Sequence, residues 1–347
     1  MTEQTSFLDS LWERVSENGP AAVVVLATLA LAVLLWIAAG PSQILNSVVT
    51  GGMWALMAVG LALVFGVMNI PYFAHGESFM VGAYVSYFVY NPISNYLAEN
   101  PSPFLGAIAP FLGMLAATLA GFVMGVILER AIFYPLRLRS KAGEWIMNAF
   151  LLTLGITFVL TNGTTLVLGP NFRGVPRYWN VEPVELLGVR VSFDRIMAFV
   201  VAIVAIGILW AFLRRTRTGT AIRATAQDEV GAQMMGINLN FIFPLTFGLS
   251  TALAALAGAS LLFIFQAYPT VGLTPLYMSW YVVILVGLGN VAGAILGGFI
   301  VAVLQTATQQ FLGIAWGNVV PIAAMVLVLI VVPSGIFGSE VKGIQEQ

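Results

Sequence analysis

Apolar residues occupy this chain in long unbroken blocks rather than in alternating or one-sided patterns. No Asp, Glu, Lys or Arg occurs from 18 to 76, 78 to 98, 100 to 128, 145 to 172, 196 to 213 or 230 to 339. A helix needs about 20 apolar residues to cross the hydrocarbon core of a bilayer. The pattern predicts spans at 21–39, 43–67, 73–91, 104–128, 145–169, 195–213, 240–266, 278–289, 292–312 and 317–335. Two places depart from plain spans. The block 278–289 is too short to cross alone, and Asn69 with Pro71 interrupts the apolar run at 69–72. Both predict broken or re-entrant elements. The ten-residue alternation of a membrane barrel is absent, so the expected fold class is an all-α polytopic membrane protein of nine or ten hydrophobic segments.

Composition agrees: 59% of residues are apolar and 8% charged, where a soluble domain carries roughly a quarter charged. The chain has no cysteine and one histidine, which excludes thiolate catalysis, disulfides, Cys-ligated metals and a multi-histidine metal site. No G-x-x-x-x-G-K-[ST] loop is present, so ATP is not bound by that device. No nucleophile–base pair or metal cluster can be assembled. The sequence thus predicts a transport protein rather than an enzyme, with no cofactor. A net charge of −1 without a basic patch points to no nucleic-acid partner.

Charge placement sets the orientation. Arg130, Arg137, Arg139 and Lys141 fall in one loop and Arg214, Arg215, Arg217 and Arg223 in another, two spans apart. Against these eight, the loop 170–195 holds Arg173, Arg177, Arg190 and Arg195. The two richer loops are therefore expected to face the cytoplasm, with both termini inside if all ten segments cross. The block 21–39 is followed by Ala38-Ala39-Gly40, as a signal peptide would be. Its apolar run is longer than a usual signal core, however, and residues 1–20 carry Arg14 against four acids, so a retained span is expected. A faint internal likeness links 66–84 with 287–304, each placing Gly and Asn before a break, as duplicated transporter halves do.

Four stretches carry candidate chemistry. In "NIPYFAHGESFM", residues 69–80, the only histidine, His75, stands two positions before Glu77 inside an otherwise apolar region. Ionisable residues at membrane depth are functional candidates; at a helix start the same pair would shape the chain, with Glu77 favoured by the helix dipole. The stretch 214–238 predicts a short cytoplasmic amphipathic helix with Ala224, Ala226, Val230, Met234, Met235 and Ile237 as apolar positions, Asp228 and Glu229 polar, and Gly236 ending it. It suits docking into a partner groove or lying on lipid. Gly121/Gly125 and Gly293/Gly297 have the four-residue spacing of close helix packing. Thr161, Asn162, Thr164 and Thr165 form a polar cluster that would line a route or bond to neighbouring helices. Asn69, His75, Gly76, Glu77, Asn162 and Asn290 are the candidates for the helix break and a polar pathway.

"GLALVFGVMNIPYFAHGESFMVGAYV" closely resembles the opening signature of the Liv-type branched-chain amino-acid permeases. "TRTGTAIRATAQDEVGAQMMGIN" resembles that family's cytoplasmic loop, and "VGLGNVAGAILGGFIVAVL" its glycine-rich late segment. The resemblance runs from about 43 to 337. It implies the membrane subunit of an ATP-binding-cassette importer in the bacterial inner membrane, a pseudo-symmetric pair with a second permease (a copy or a paralogue), two separate ATP-binding subunits and a periplasmic solute-binding protein. It implies cargo among hydrophobic amino acids or, as in relatives, urea and short amides. The loop holding Arg217, Arg223, Asp228, Glu229 and Gly236 would then be the coupling helix that enters the ATPase. Residues 1–42 depart from the pattern as an extension with an extra span, 43–337 form the permease domain and 338–347 a cytoplasmic tail. The competing reading is a stand-alone proton-coupled carrier or channel using His75 and Glu77.

Overall fold

A computed structural model describes residues 19–141, 144–175, 177–179, 181–186 and 188–337; the tail at 338–347 and the first 18 residues lie outside them. In chain order the elements are α1 (Gly19–Ala39), α2 (Pro41–Met68), α3 (His75–Glu99), α4 (Pro103–Leu128), a π-helical turn (Glu129–Phe133) and α5 (Tyr134–Arg139). Next come α6 (Trp145–Leu168), strands β1 (Val184–Leu186) and β2 (Val189–Val191), α7 (Phe193–Arg215), α8 (Arg217–Gln227) and α9 (Glu229–Met234). The chain continues with α10 (Leu239–Ser260), α11 (Leu273–Val286), α12 (Val291–Leu312), a short 3₁₀ turn and α13 (Val319–Val331). Eight of the described helices are long and apolar enough to cross a membrane. The expected all-α polytopic fold is the one observed. The strands form one small antiparallel hairpin, Val184 opposite Val191 and Leu186 opposite Val189.

Burial sorts the helices into layers. In the most apolar stretch of α2, 83% of residues are buried and in α10 78%, against 11% in α1, α6 and α13. The first two are therefore the protein core and the last three present their apolar side chains outward, as a lipid-facing rim does. Around the central pair the packing is exchanged: α10 lies chiefly on α4, α12 chiefly on α2, α3 on α10, and α11 on α2. The trio α2–α3–α4 thus corresponds in packing to α10–α11–α12. This differs from the likeness between 66–84 and 287–304, although Gly66 and Gly289 do meet backbone to backbone.

Small residues make these contacts possible, because without a hydrophobic drive between helices in lipid, close backbone approach must supply the packing energy. Gly121 and Gly125 of α4 lie on Ala255, Thr251 and Gly248 of α10. Gly297 lies on Val282 and Val286 of α11. Gly82 of α3 fits against Ala255, and Gly258 of α10 against the carbonyl of Phe79. The packing reading of the Gly-x-x-x-Gly pairs agrees with these contacts, except that Gly293 faces its own helix cap, Asn290.

The loops sort to opposite ends. Arg130 donates to the Asn240 carbonyl, so the two arginine-rich loops meet at one end of the bundle. At the other end Asp194 at the start of α7, 2% exposed, accepts from the backbone N–H groups of Tyr178 (3.0 Å) and Trp179 (3.1 Å). Trp179 Nε1 donates to the Ala107 carbonyl and Tyr178 hydroxyl to that of Ala259, 2.6 Å. Burial pushes the Tyr178 phenol well above its ordinary pKa, so its proton remains available for that bond.

Candidate functional site

The break after α2 is built by Asn69. It takes the left-handed conformation at φ 52°, alone among the described non-glycine residues, and caps α2 through its N–H to the Phe65 carbonyl. Asparagine tolerates that conformation because its short polar side chain adds little crowding. Pro71 then denies the chain a helical continuation. Instead of restarting at the same level, the chain turns back along α2: His75, the first residue of α3, bonds through Nε2 to the carbonyl of Met57, eighteen residues earlier, at 3.0 Å. The first turn of α3 therefore lies beside the middle of α2, and 70–74 is non-helical backbone inside the protein. Non-helical backbone at membrane depth is tolerated only where protein or a water-filled cavity surrounds it.

A second half-helix meets the first. The irregular stretch 261–272 leads from α10 to α11, and Gly272 at its end touches Gly76 so closely that a Cβ on Gly272 would lie 1.9 Å from the Gly76 carbonyl oxygen. Two helix N-termini, α3 and α11, thus converge within the bundle.

The carbonyls and carboxylate exposed by the break are satisfied by α6. Trp145 Nε1 donates to the Met68 carbonyl (3.3 Å), and the Thr153 hydroxyl is shared between the Phe150 carbonyl of its own helix (2.8 Å) and that of Pro71 (3.2 Å). Thr157 and Thr161 donate to the two oxygens of Glu77, each at 3.2 Å. Thr153, Thr157 and Thr161 recur every four residues and so share one face. His75 and Glu77 are 0% and 4% exposed. An edge-on Tyr72 ring packs on His75, 5.8 Å away between centroids, and His75 Nδ1 is buried without a partner.

The structure brings His75, Gly76, Glu77 and Thr161 together. It sets the three asparagines apart. Asn69 is exposed and serves as the cap; Asn162 is exposed and returns Nδ2 to the Phe158 carbonyl on its own helix; Asn290 caps α12, accepting from Gly293 N–H and donating to the Phe337 carbonyl, both 2.8 Å. Thr165 bonds within α6, to Thr161. Thr153 and Thr157 were missed as site residues; their four-residue spacing with Thr161 was the available signal. Asp194 gave none, since beyond the Ser192 hydroxyl its partners are the backbone N–H groups of Tyr178 and Trp179, earlier in the same loop.

The stretch 214–238 forms two helices rather than one. Asp228 adopts an extended conformation and accepts the Gly231 N–H at 2.9 Å, the N-cap preference of aspartate ending α8 and starting α9. Gly236 follows at φ +85°, with Ile237 N–H on the Ala232 carbonyl; this is the Schellman closure that glycine permits. Arg217, Arg223, Asp228 and Glu229 are exposed, and Met234 and Met235 are 84% and 85% exposed. A cavity of about 340 Å³, lined in part by Arg223 and Arg214, opens between the end of α2, α7, α8 and the start of α12.

One expected outcome tests the Glu77 cradle. Glu77→Gln keeps an acceptor, and the threonine facing the new amide rotates its hydroxyl to accept, so the thermal midpoint in detergent should stay near that of the unmodified protein. Thr157→Val with Thr161→Val strips both donors from a buried carboxylate, costing upward of about 1–3 kcal/mol, and should lower the midpoint clearly. Equal midpoints for the two variants would show that these bonds carry no stability.

The described residues combine buried broken helices with an exposed two-helix loop at one end of the bundle. Residues 43–329 match the family described as the permease component of the branched-chain amino acid transport system, and the chain belongs to that family. It is 30% identical over 301 residues to the high-affinity branched-chain amino acid permease protein LivH of Salmonella typhimurium, covering 85% of this chain and 94% of that one. Similarity extends to BraD of Pseudomonas aeruginosa, 29% over 305 residues (85% and 95% covered), and to the probable LivH of Methanocaldococcus jannaschii, 27% over 319 residues (87% and 94%). No solved structure matches. The protein is a multi-pass permease subunit of an ATP-binding-cassette importer, not an enzyme; in this family ATP hydrolysis is carried by separate subunits, and binding proteins act as partners.

Proposed function

We propose that this permease carries branched-chain, hydrophobic amino acids across the bacterial inner membrane. The supporting observation is that relatives matched over nine-tenths of their length are named for those substrates. A pathway without free charges, with Glu77 held by two threonines and His75 by a carbonyl, suits a small neutral or zwitterionic solute. The working assembly is this chain, a second permease, two ATP-binding subunits and a periplasmic binding protein that supplies most of the affinity. Residues 43–337 are the permease domain, and the span within 1–42 is an addition to it. The loop with Arg217, Arg223, Asp228, Glu229 and Gly236 docks into an ATP-binding subunit; its exposed Met234 and Met235 are flexible apolar side chains that adapt to a partner surface. The convergence of α3 and α11, with His75, Gly76 and Glu77, borders the pathway. Closure of the ATP-binding subunits would move the loop and switch access between the two sides.

The test is uptake by the reconstituted complex in liposomes with its cognate binding protein. ATP-dependent accumulation of leucine, isoleucine or valine, competed by each other and not by urea or acetamide, is the expected result. Uptake of urea or amides in preference would move the substrate to that class. Uptake by this chain alone, without ATP, would restore the carrier reading.

A further inference from the structure

We propose that Arg137, held by Glu129 on the π-helical turn, is the positioning residue that relays movement of the coupling loop to the helix break. The inference rests on the docking of that loop to an ATP-binding subunit, and deepens it by naming the route inward.

The turn Glu129–Phe133 is an interruption with a cause. Glu129 is 1% exposed and its Oε1 accepts from Arg137 Nη2 at 2.8 Å. In a regular helix residues eight apart sit more than two turns apart; the wider π turn, closed by Tyr134 N–H on the Glu129 carbonyl, and the following short helix bring the pair together. π turns of this kind cluster at functional positions. The second carboxylate oxygen, Oε2, is buried without a partner. Glu129 is thus a buried carboxylate with one oxygen unpaired, held by an arginine that keeps 23% of its side chain exposed, and its desolvation is not fully offset. Such pairs are better suited to selecting one arrangement over another.

Arg137 lies against the starts of both helices that the relay joins to the π turn. Its guanidinium lies 4.0 Å from the ring centroid of Phe243 in the first turns of α10 and 5.4 Å from that of Trp145 at the start of α6. The coupling loop enters α10 three residues before Phe243, at Asn240, whose carbonyl accepts from Arg130 on the π turn. From Arg137 two arms reach the break. Trp145 passes its Nε1–H to the Met68 carbonyl, the last residue of α2. Phe133, on the π turn itself and fully buried, packs on Phe247 at 5.0 Å and Tyr72 at 6.5 Å; Tyr72 in turn lies edge-on to His75. Arginine fits this node because a planar, permanently charged group stacks on two rings while bonding a carboxylate, which the compact lysine ammonium does not do.

The experiment is solute taken up per ATP hydrolysed by the full complex in liposomes. Arg137→Lys keeps the charge for Glu129 and loses the planar stack; Phe243→Leu keeps apolar volume and the ion pair and removes one ring, and so serves if Arg137→Lys fails to assemble. Each should lower the ratio at least about fivefold, the low end of coupling between distant sites. Arg137→Lys with Trp145→Phe should be no worse than Arg137→Lys alone, because both lie on one route. A merely structural role would lower uptake and hydrolysis together and leave the ratio unchanged, which would overturn the relay. Gly236→Val separates the two readings. If it lowers the ratio while Arg137→Lys and Phe243→Leu do not, the docking loop stands and the relay falls. If Gly236→Val leaves the ratio intact, the loop assignment falls and takes the relay with it.

Discussion

Gly272→Ala should abolish recovery of folded permease. The added methyl carbon would lie 1.9 Å from the Gly76 carbonyl oxygen and 2.4 Å from its carbon. Both obstacles are backbone, so no rotamer change relieves them, and the two half-helices must separate. Overpacking of side chains costs about 1–3 kcal/mol; a backbone collision at the convergence of two helix starts belongs at or beyond the upper end. Monodisperse yield after detergent extraction is the measurement. The control is Gly163→Ala in α6, where nothing lies within 4 Å of the new carbon and helix propensity favours alanine by roughly 0.5–1 kcal/mol. Equal yields for both would mean that α3 and α11 do not depend on that contact.

Replacing Met234 and Met235 together by aspartate should release the ATP-binding subunits while leaving the permease itself folded. Both side chains are almost wholly solvent-facing, so the substitution disturbs no core of this chain. In a docked interface, centrally buried anchors are worth 2 kcal/mol or more each, about 30-fold in affinity per residue, and a desolvated carboxylate adds to the loss. Co-purification of the ATP-binding subunits with the tagged permease reads the effect, with thermal midpoint as the check on folding. Retained co-purification at unchanged stoichiometry would place the docking surface elsewhere.

The spans were legible because lipid demands apolar side chains around a helix, and runs such as 103–128 show it without ambiguity. The break was legible too, from Asn69 and Pro71. Other boundaries were hidden by burial. The apolar run Leu261–Phe265 reads as a continuation of α10, yet the helix ends at Ser260, since backbone enclosed by protein need not be helical. The charges at Glu129 and Arg130 read as the end of α4, although helical structure continues to Arg139. α11 starts at Leu273, five residues before the predicted 278, because Pro275 sits in the first turn where its missing N–H costs nothing. Asp228 outweighed the amphipathic pattern around it through one capping bond. At the site, His75 and Glu77 stood out by type alone. Of the partners, Thr161 fell within the polar cluster, whereas Thr157 did not stand out, because a threonine on an apolar helix looks the same whether it faces lipid, water or a carboxylate.

The threonine stripe also has a bearing on how the chain is made. Thr157 follows Glu77 by 80 residues, and synthesis runs at about 5–20 residues per second. For roughly 4–16 seconds, then, the nascent chain holds a carboxylate and the loose carbonyls of Met68 and Pro71 before the helix that satisfies them exists. During that interval the segment is better placed in the insertion machinery or against water than in hydrocarbon. α6, among the least buried helices of the finished protein, is therefore the one whose arrival lets its interior settle.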